Sequence, residues 1–279
     1  MKKTLLHALL AAATMLTAVS AQAAVVTQWT VGVNAIFDTS SVVWDTSNGT
    51  TGIHTATTSS LNWGDGGPSG MDIGSSPNNS TVNTNGPAVN NITVTHRNQP
   101  ITGYTLDKVN ILSTLTLTPL SPSGSGLSPT TITFKVDFME TPNAGGVGGA
   151  CAGGGTSGVG SMNGAGCADI FVIDQSALNF PFWYDTDGAG GDDPVQYYIS
   201  FFEASNKLNS LPSVACTSVL GAGNTSCLGF MTPEGQNTTA QFAAVITTQP
   251  VQVVPEPGTL ALLGIALAGL GITRRRRNI

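Results

Sequence analysis

Residues 131–138 read Thr-Ile-Thr-Phe-Lys-Val-Asp-Phe, polar and apolar in unbroken alternation, the period of a strand with one buried face. Residues 109–118 do nearly the same. Further strands are predicted over 25–37, 53–58, 91–95, 170–173, 195–202 and 241–251, most of them rich in Thr, Val, Ile and aromatics, which suit a pleated, half-buried surface. Between them lie clusters with turn chemistry, such as Trp63-Gly64-Asp65-Gly66-Gly67-Pro68, Ser121-Pro122-Ser123-Gly124 and Asp187-Gly188. No stretch of this body keeps a helical period. The pattern predicts an all-β fold, an antiparallel β-sandwich with long Gly/Ser/Asn-rich loops in a single domain.

Two apolar runs stand outside that alternation. At the start, Lys2 and Lys3 precede an apolar stretch from Leu5 to Val19, and Ser20-Ala21-Gln22-Ala23-Ala24 supplies the small residues that a signal peptidase reads. This is the layout of a secretory signal helix over 1–23, cut between Ala23 and Ala24. At the other end, Val254-Pro255-Glu256-Pro257-Gly258 leads into an apolar run to Thr273 and then Arg274, Arg275, Arg276 and Arg277. The run predicts a transmembrane helix. Its sixteen residues make roughly 24 Å of helix, short of a hydrocarbon core of about 30 Å. The arginines hold that end in the cytoplasm and leave the body outside. Pro255 and Pro257 keep the approach extended and accessible. A permanent single-pass anchor is the alternative, and the short span argues for a transient one.

This C-terminal arrangement resembles the PEP-CTERM protein-sorting signal, built from a Pro-Glu-Pro motif, an apolar helix and a basic tail. The resemblance implies processing by exosortase, a membrane enzyme of exopolysaccharide-producing Gram-negative bacteria. The expected organisation is a signal peptide over 1–23, an exported β-sandwich over 24–250 and a sorting signal over 251–279, with transient insertion in the inner membrane followed by delivery to the cell surface, outer envelope or extracellular matrix.

Charge narrows the partners. Only 9% of the 279 residues are charged, and without the two ends the body keeps four basic and fifteen acidic side chains, a net charge of −11. Such a body cannot track a polyphosphate, so nucleic acid is excluded as a partner. Envelope glycans or exopolysaccharide remain compatible with it.

The four cysteines, Cys151, Cys167, Cys216 and Cys227, are an even count in an exported chain and predict two disulfides. Three connectivities exist, and the neighbour pairing Cys151–Cys167 with Cys216–Cys227 is the one expected. The first would staple a segment over 145–166 in which 11 of 22 residues are Gly, which reads as a flexible excursion because it has little apolar surface to bury.

Residues 91–101 contain Thr95-His96-Arg97-Asn98, and with the sorting tail this resembles the THxN family of PEP-CTERM proteins. The segments at 61–64 (Leu-Asn-Trp-Gly), 138–143 (Phe-Met-Glu-Thr-Pro-Asn), 167–171 (Cys-Ala-Asp-Ile-Phe) and 227–234 (Cys-Leu-Gly-Phe-Met-Thr-Pro-Glu) are similar to that family's pattern. The resemblance implies an exported envelope protein and supplies no catalytic residues. Read by themselves, His96 and Asn98 lie where a strand is expected to end, and hydrogen bonding to loop backbone is their ordinary role. A metal ligand or pH-sensitive contact at His96 is the sharper one. Glu140 and Glu234 could pair, but sequence spacing does not place them.

Asp185, Asp187, Asp192 and Asp193 crowd a glycine turn and suggest a weak calcium site, although the spacing departs from the EF-hand loop. No other cofactor is implied. Trp29, Trp44, Trp63, Trp183, Tyr197 and Tyr198 could stack on sugar rings if exposed. With two histidines in the body and no nucleophile elbow or metalloprotease motif, an enzyme is not expected. A surface or matrix protein is the leading expectation. A carbohydrate-binding or adhesive module is the alternative, and a carboxylate-dependent hydrolase comes last.

Overall fold

Alternation carries most of the chain into strand in the computed structural model, which describes residues 24–173, 179–186, 194–205 and 207–251. The signal segment, the sorting tail, and Asp187, Asp192 and Asp193 of the acidic loop lie outside the described residues. One unit ends at Thr248 and a second begins at Gln249, of which only 249–251 are described. Among the described residues no helix is long and apolar enough to cross a membrane.

The strands are β1 (Gln28–Asp45), β2 (Ile53–Ala56), β3 (Ser60–Gly64), β4 (Ser69–Gly74), β5 (Asn78–Asn83), β6 (Val89–Arg97), β7 (Thr105–Ser121), β8 (Thr130–Met139), β9 (Asp169–Ile173), β10 (Phe180–Tyr184), β11 (Val195–Glu203), β12 (Asn209–Ser210), β13 (Leu228–Thr232) and β14 (Asn237–Thr247). They form two seven-stranded antiparallel sheets, ordered β12-β13-β9-β8-β7-β1-β5 and β10-β11-β14-β6-β4-β3-β2. The inward faces share one apolar core, with Val31, Val33, Ile111, Val136 and Phe171 from the first sheet and Leu61, Met71, Val94, Ile199 and Ile246 from the second. This is the expected sandwich.

The differences from expectation have local causes. β1 runs past Phe37 because its register with β7 shifts between Asp38 and Val43 and pairing then resumes to Asp45. β6 continues beyond Thr95 to Arg97, since His96 and Arg97 pair with both β4 and β14. Strands β3, β4 and β5 escape sequence reading because Ser, Gly and Asn fill them, and their neighbours impose the pairing. Gly229 in β13 is needed for close approach, since a Cβ there would collide with the Phe171 carbonyl of β9.

Among the described residues two short α-helices also form, α1 (Gly160–Asn163) and α2 (Ser213–Leu220). Two turns are too few for α2 to show a period in the sequence. It is held instead by Ala215, packed with Ile170 and Val172 on the outer face of β9, and by the Cys216–Cys227 disulfide. The Cys151–Cys167 disulfide closes the Gly-rich segment. That segment is not a free excursion. Backbone bonds such as Cys151 N to Gly155 O (3.1 Å) and Ser157 N to Gly149 O (2.8 Å) fold it on itself, and the Asn163 side chain bonds both Gly154 O and Ala168 N.

Most aromatics are structural. Trp29 is fully buried and meets Phe182, Tyr184 and Tyr197 edge-on at 5.2–5.4 Å, joining β1 to β10 and β11 across the sandwich. Trp63 and Tyr197 are also buried, Trp44 packs against the core, and Trp183 is 53% exposed. Replacing Trp29 by Ala is expected to cost about 3–5 kcal/mol of unfolding free energy, read from urea denaturation. Replacing Cys151 and Cys167 together by Ala is expected to cost about 3 kcal/mol in the same measurement, from the freed loop entropy.

Candidate functional site

Strand parity builds a polar cluster at one end of the core. On β6 the inward positions are Ile92, Val94 and His96, and Asn98 continues the row just past the strand. On β8 they are Ile132, Phe134, Val136 and Phe138, followed by Glu140. On β9, Phe171 faces the core, so Asp169 two residues earlier does as well. On β13 the row is Phe230, Thr232 and then Glu234. The pairings Met139↔Ile170 and Asp169↔Thr232 bring the row ends of the first sheet side by side, and β6 brings His96 from the second.

Glu140, Asp169 and Glu234 each present an oxygen, and these three atoms lie within 4.8 Å of one another. The residues are 8%, 0% and 3% exposed. Trp63 Nε1 donates to Glu140 Oε2 at 3.0 Å. Thr141 N donates to Asp169 Oδ1 at 2.9 Å, while the Thr141 hydroxyl donates to Cys167 O at 2.8 Å. Oriented to donate, the Asn143 amide nitrogen lies 3.0 and 3.2 Å from the two oxygens of Glu234. Gly166 lies over the same residue, where a Cβ would come within 2.8 Å of Glu234 Cγ. The stapled segment therefore roofs the cluster.

His96 is fully buried, stacked on Trp63 (5.7 Å between centroids, 13° between planes) and edge-on to Phe138 and Phe171. Its Nε2 stands 3.9 Å from Asp169 Oδ2, and neither ring nitrogen has a hydrogen-bond partner. Asn98 donates through Nδ2 to Thr232 O at 2.9 Å, but its Oδ1 is unpartnered, as are Asp169 Oδ2 and the Thr232 hydroxyl. Buried polar atoms without partners are costly, and four residues around one point carry them.

Burial sets the protonation. Desolvation raises Glu140 to about 8, with the neighbouring Glu234 charge adding to it and the Trp63 bond opposing. Desolvation raises Glu234 to about 7 against an opposing Asn98 bond. Asp169 is pushed well above the carboxylate range by burial and then by the Glu140 charge. His96 is lowered to about 3, first by burial and then by the nearby Arg97 charge, so it is neutral. His96 and Asp169 are therefore not an ion pair in the bare protein. Arg97 itself turns outward, bonding Asp72 at 2.7 Å.

The sequence-derived candidates divide. His96 and Asn98 enter the cluster, whereas Thr95 points to the other face and meets Thr239 Oγ1 at 2.9 Å. Asn98 bonds the backbone of Thr232, the last residue of β13, rather than that of a loop, and His96 is the penultimate residue of β6, near the strand end expected for it. Glu140 and Glu234 come together. Cys151 and Cys167 stand beside the cluster, and Cys216 and Cys227 staple α2 elsewhere. Ala24 is exposed at the start of the described residues; Ala23, Pro255, Glu256, Pro257, Gly258 and the four arginines fall outside them. Asp169 was not singled out by its chemistry, although the parity of Phe171 would have placed it inward.

A protein freed of divalent ions should show opposing pH responses. The carboxyl groups contribute stability that is full below about 4.5 and is lost as pH rises through about 7–8. His96 contributes stability that is full above 6.5 and lost as pH falls through about 3. Three carboxyl groups against one imidazole place the expected maximum near the lower carboxylate value, with a decline towards pH 8. Urea midpoints across pH 3–9 in chelator check this, and Glu140→Gln should flatten the alkaline decline.

The PEP-CTERM protein-sorting motif is matched over residues 253–277. No curated protein matches the chain. The motif marks an exported protein sorted by exosortase, one that transits the membrane and reaches the cell surface.

Proposed function

We propose that the chain is a non-catalytic protein of the cell envelope or extracellular matrix, delivered by exosortase in an exopolysaccharide-producing bacterium. The sorting motif at 253–277 carries the reading. The body attached to it supports a structural role, being a two-sheet sandwich with two disulfides, suited to an oxidising exterior. Its three clustered carboxyl groups support that role over a hydrolase, because a glycosidase needs its carboxylates to touch the sugar, and these are sealed in the core. The segments that resemble the THxN pattern also fit, since Trp63, His96, Asn98, Glu140, Asp169 and Glu234 all serve one internal cluster.

A carbohydrate-binding role is the second reading, favoured by Trp183, 53% exposed on the edge strand β10. Loss of retention on exopolysaccharide in Trp183→Ala would support it over a purely structural part.

In the source bacterium, the exported protein is expected to have a mass lacking 1–23 and the C-terminal helix. Replacing Pro255, Glu256 and Pro257 by Ala should leave the full tail attached and the protein in the inner membrane. Wild-type protein that keeps residue 279 while lodged in the inner membrane would overturn the delivery reading.

A further inference from the structure

We propose that Glu140, Asp169 and Glu234, joined by Asn98 just past the end of β6 in the other sheet, form a buried calcium site that ties the two sheets together at one end of the sandwich. Three carboxylates enter the core there, and among the described residues no lysine or arginine forms an ion pair with any of them. One point lies within about 2.8 Å of an oxygen from each, which a small inward movement turns into calcium–oxygen bonds of about 2.3–2.6 Å.

The second observation is independent of the acidic cluster. Asn98 is fully buried, its amide lies against Glu234, and its Oδ1 has no partner. The Thr232 hydroxyl, also fully buried, is unpartnered beside Asp169 on the adjoining strand. Asn98 Oδ1, on an amide that meets Glu234, and the Thr232 hydroxyl, on a residue paired with Asp169, are buried acceptors that a cation would satisfy. Together with the carboxylates they make an oxygen-rich set of the kind calcium takes and softer metals do not select. His96 stands outside the set. Its neutral imidazole, 3.9 Å from Asp169 Oδ2, is placed to donate a hydrogen bond to the ligand carboxylate and orient it.

The ligands are reached from four separate stretches of chain, at 98, 140, 169 and 232–234, so the ion is captured as the chain folds after export. Bound there, it converts a set of carboxyl groups that oppose burial into a cross-link between β6, β8, β9 and β13. None of its ligands is one of the acidic residues Asp185, Asp187, Asp192 and Asp193.

The test uses the exported, purified protein. Elemental analysis should find about one calcium per chain, and chelator should lower the melting temperature at pH 7.5 by more than 5 °C, restored by millimolar calcium. Terbium, a luminescent calcium substitute, should be sensitised through Trp63, whose Nε1 is 3.0 Å from Glu140. Trp63→Phe should lose at least tenfold of that luminescence. Glu140→Gln should lose the calcium dependence, while Asp187→Asn with Asp193→Asn should retain it. Should Glu140→Gln not fold, Thr232→Val, which removes one acceptor, should reduce the calcium-induced shift. A chain without stoichiometric metal and indifferent to chelator overturns the proposal, as does stoichiometric zinc in place of calcium. A calcium response that survives Glu140→Gln but vanishes in the double loop variant also overturns it.

Discussion

The burial of Glu140, Asp169 and Glu234 against His96 is the constraint around which the rest of the molecule is arranged. A carboxylate in a core is costly unless its charge is removed or matched. Each nearby feature reduces that cost. Trp63 donates to Glu140, Thr141 to Asp169 and Asn143 to Glu234. The Cys151–Cys167 disulfide fixes Cys167 two residues from Asp169, and Gly166 lets the chain pass over Glu234. What looks like a loose glycine segment is thus a cover whose shape depends on having no side chains.

Opposite ends of the sandwich use different chemistry for the same task. At the start of β1, Trp29 joins the sheets through rings from β10 and β11, and burial of apolar surface suffices. At the other end, Trp63, His96, Phe138 and Phe171 form a second aromatic group, but polar residues terminate its rows. An apolar plug would hold that end without any ion. Polar termini leave that end with buried groups whose protonation and pairing set how well it closes.

Much of the fold was legible because alternation is local. Residues 131–138 announce β8 without reference to anything else, and the same parity, carried two residues further, points Glu140 inward. His96 follows Ile92 and Val94 in the same way, and the turn-like Asn98-Gln99-Pro100 marks the end of β6 at Arg97, where pairing with β4 and β14 also stops. β4 was illegible, since Ser-Gly-Met-Asp-Ile-Gly carries weak strand preference and owes its place to pairing with β3 and β6. The helix α2 was missed for a similar reason: its hold comes from a disulfide and from the outer face of β9.

By itself the sequence determined the class of fold, the export and sorting of the chain and the parity of its inward rows, because signal segments, turns and alternation are properties of neighbouring residues. Only the tertiary structure decided that residues as far apart as 63 and 234 share one enclosed end of the core. Register between strands sets that convergence, and register depends on hydrogen bonds to partners distant in the chain. A glutamate two places beyond a strand is a surface residue in most proteins; here it is internal because three other strands end beside it.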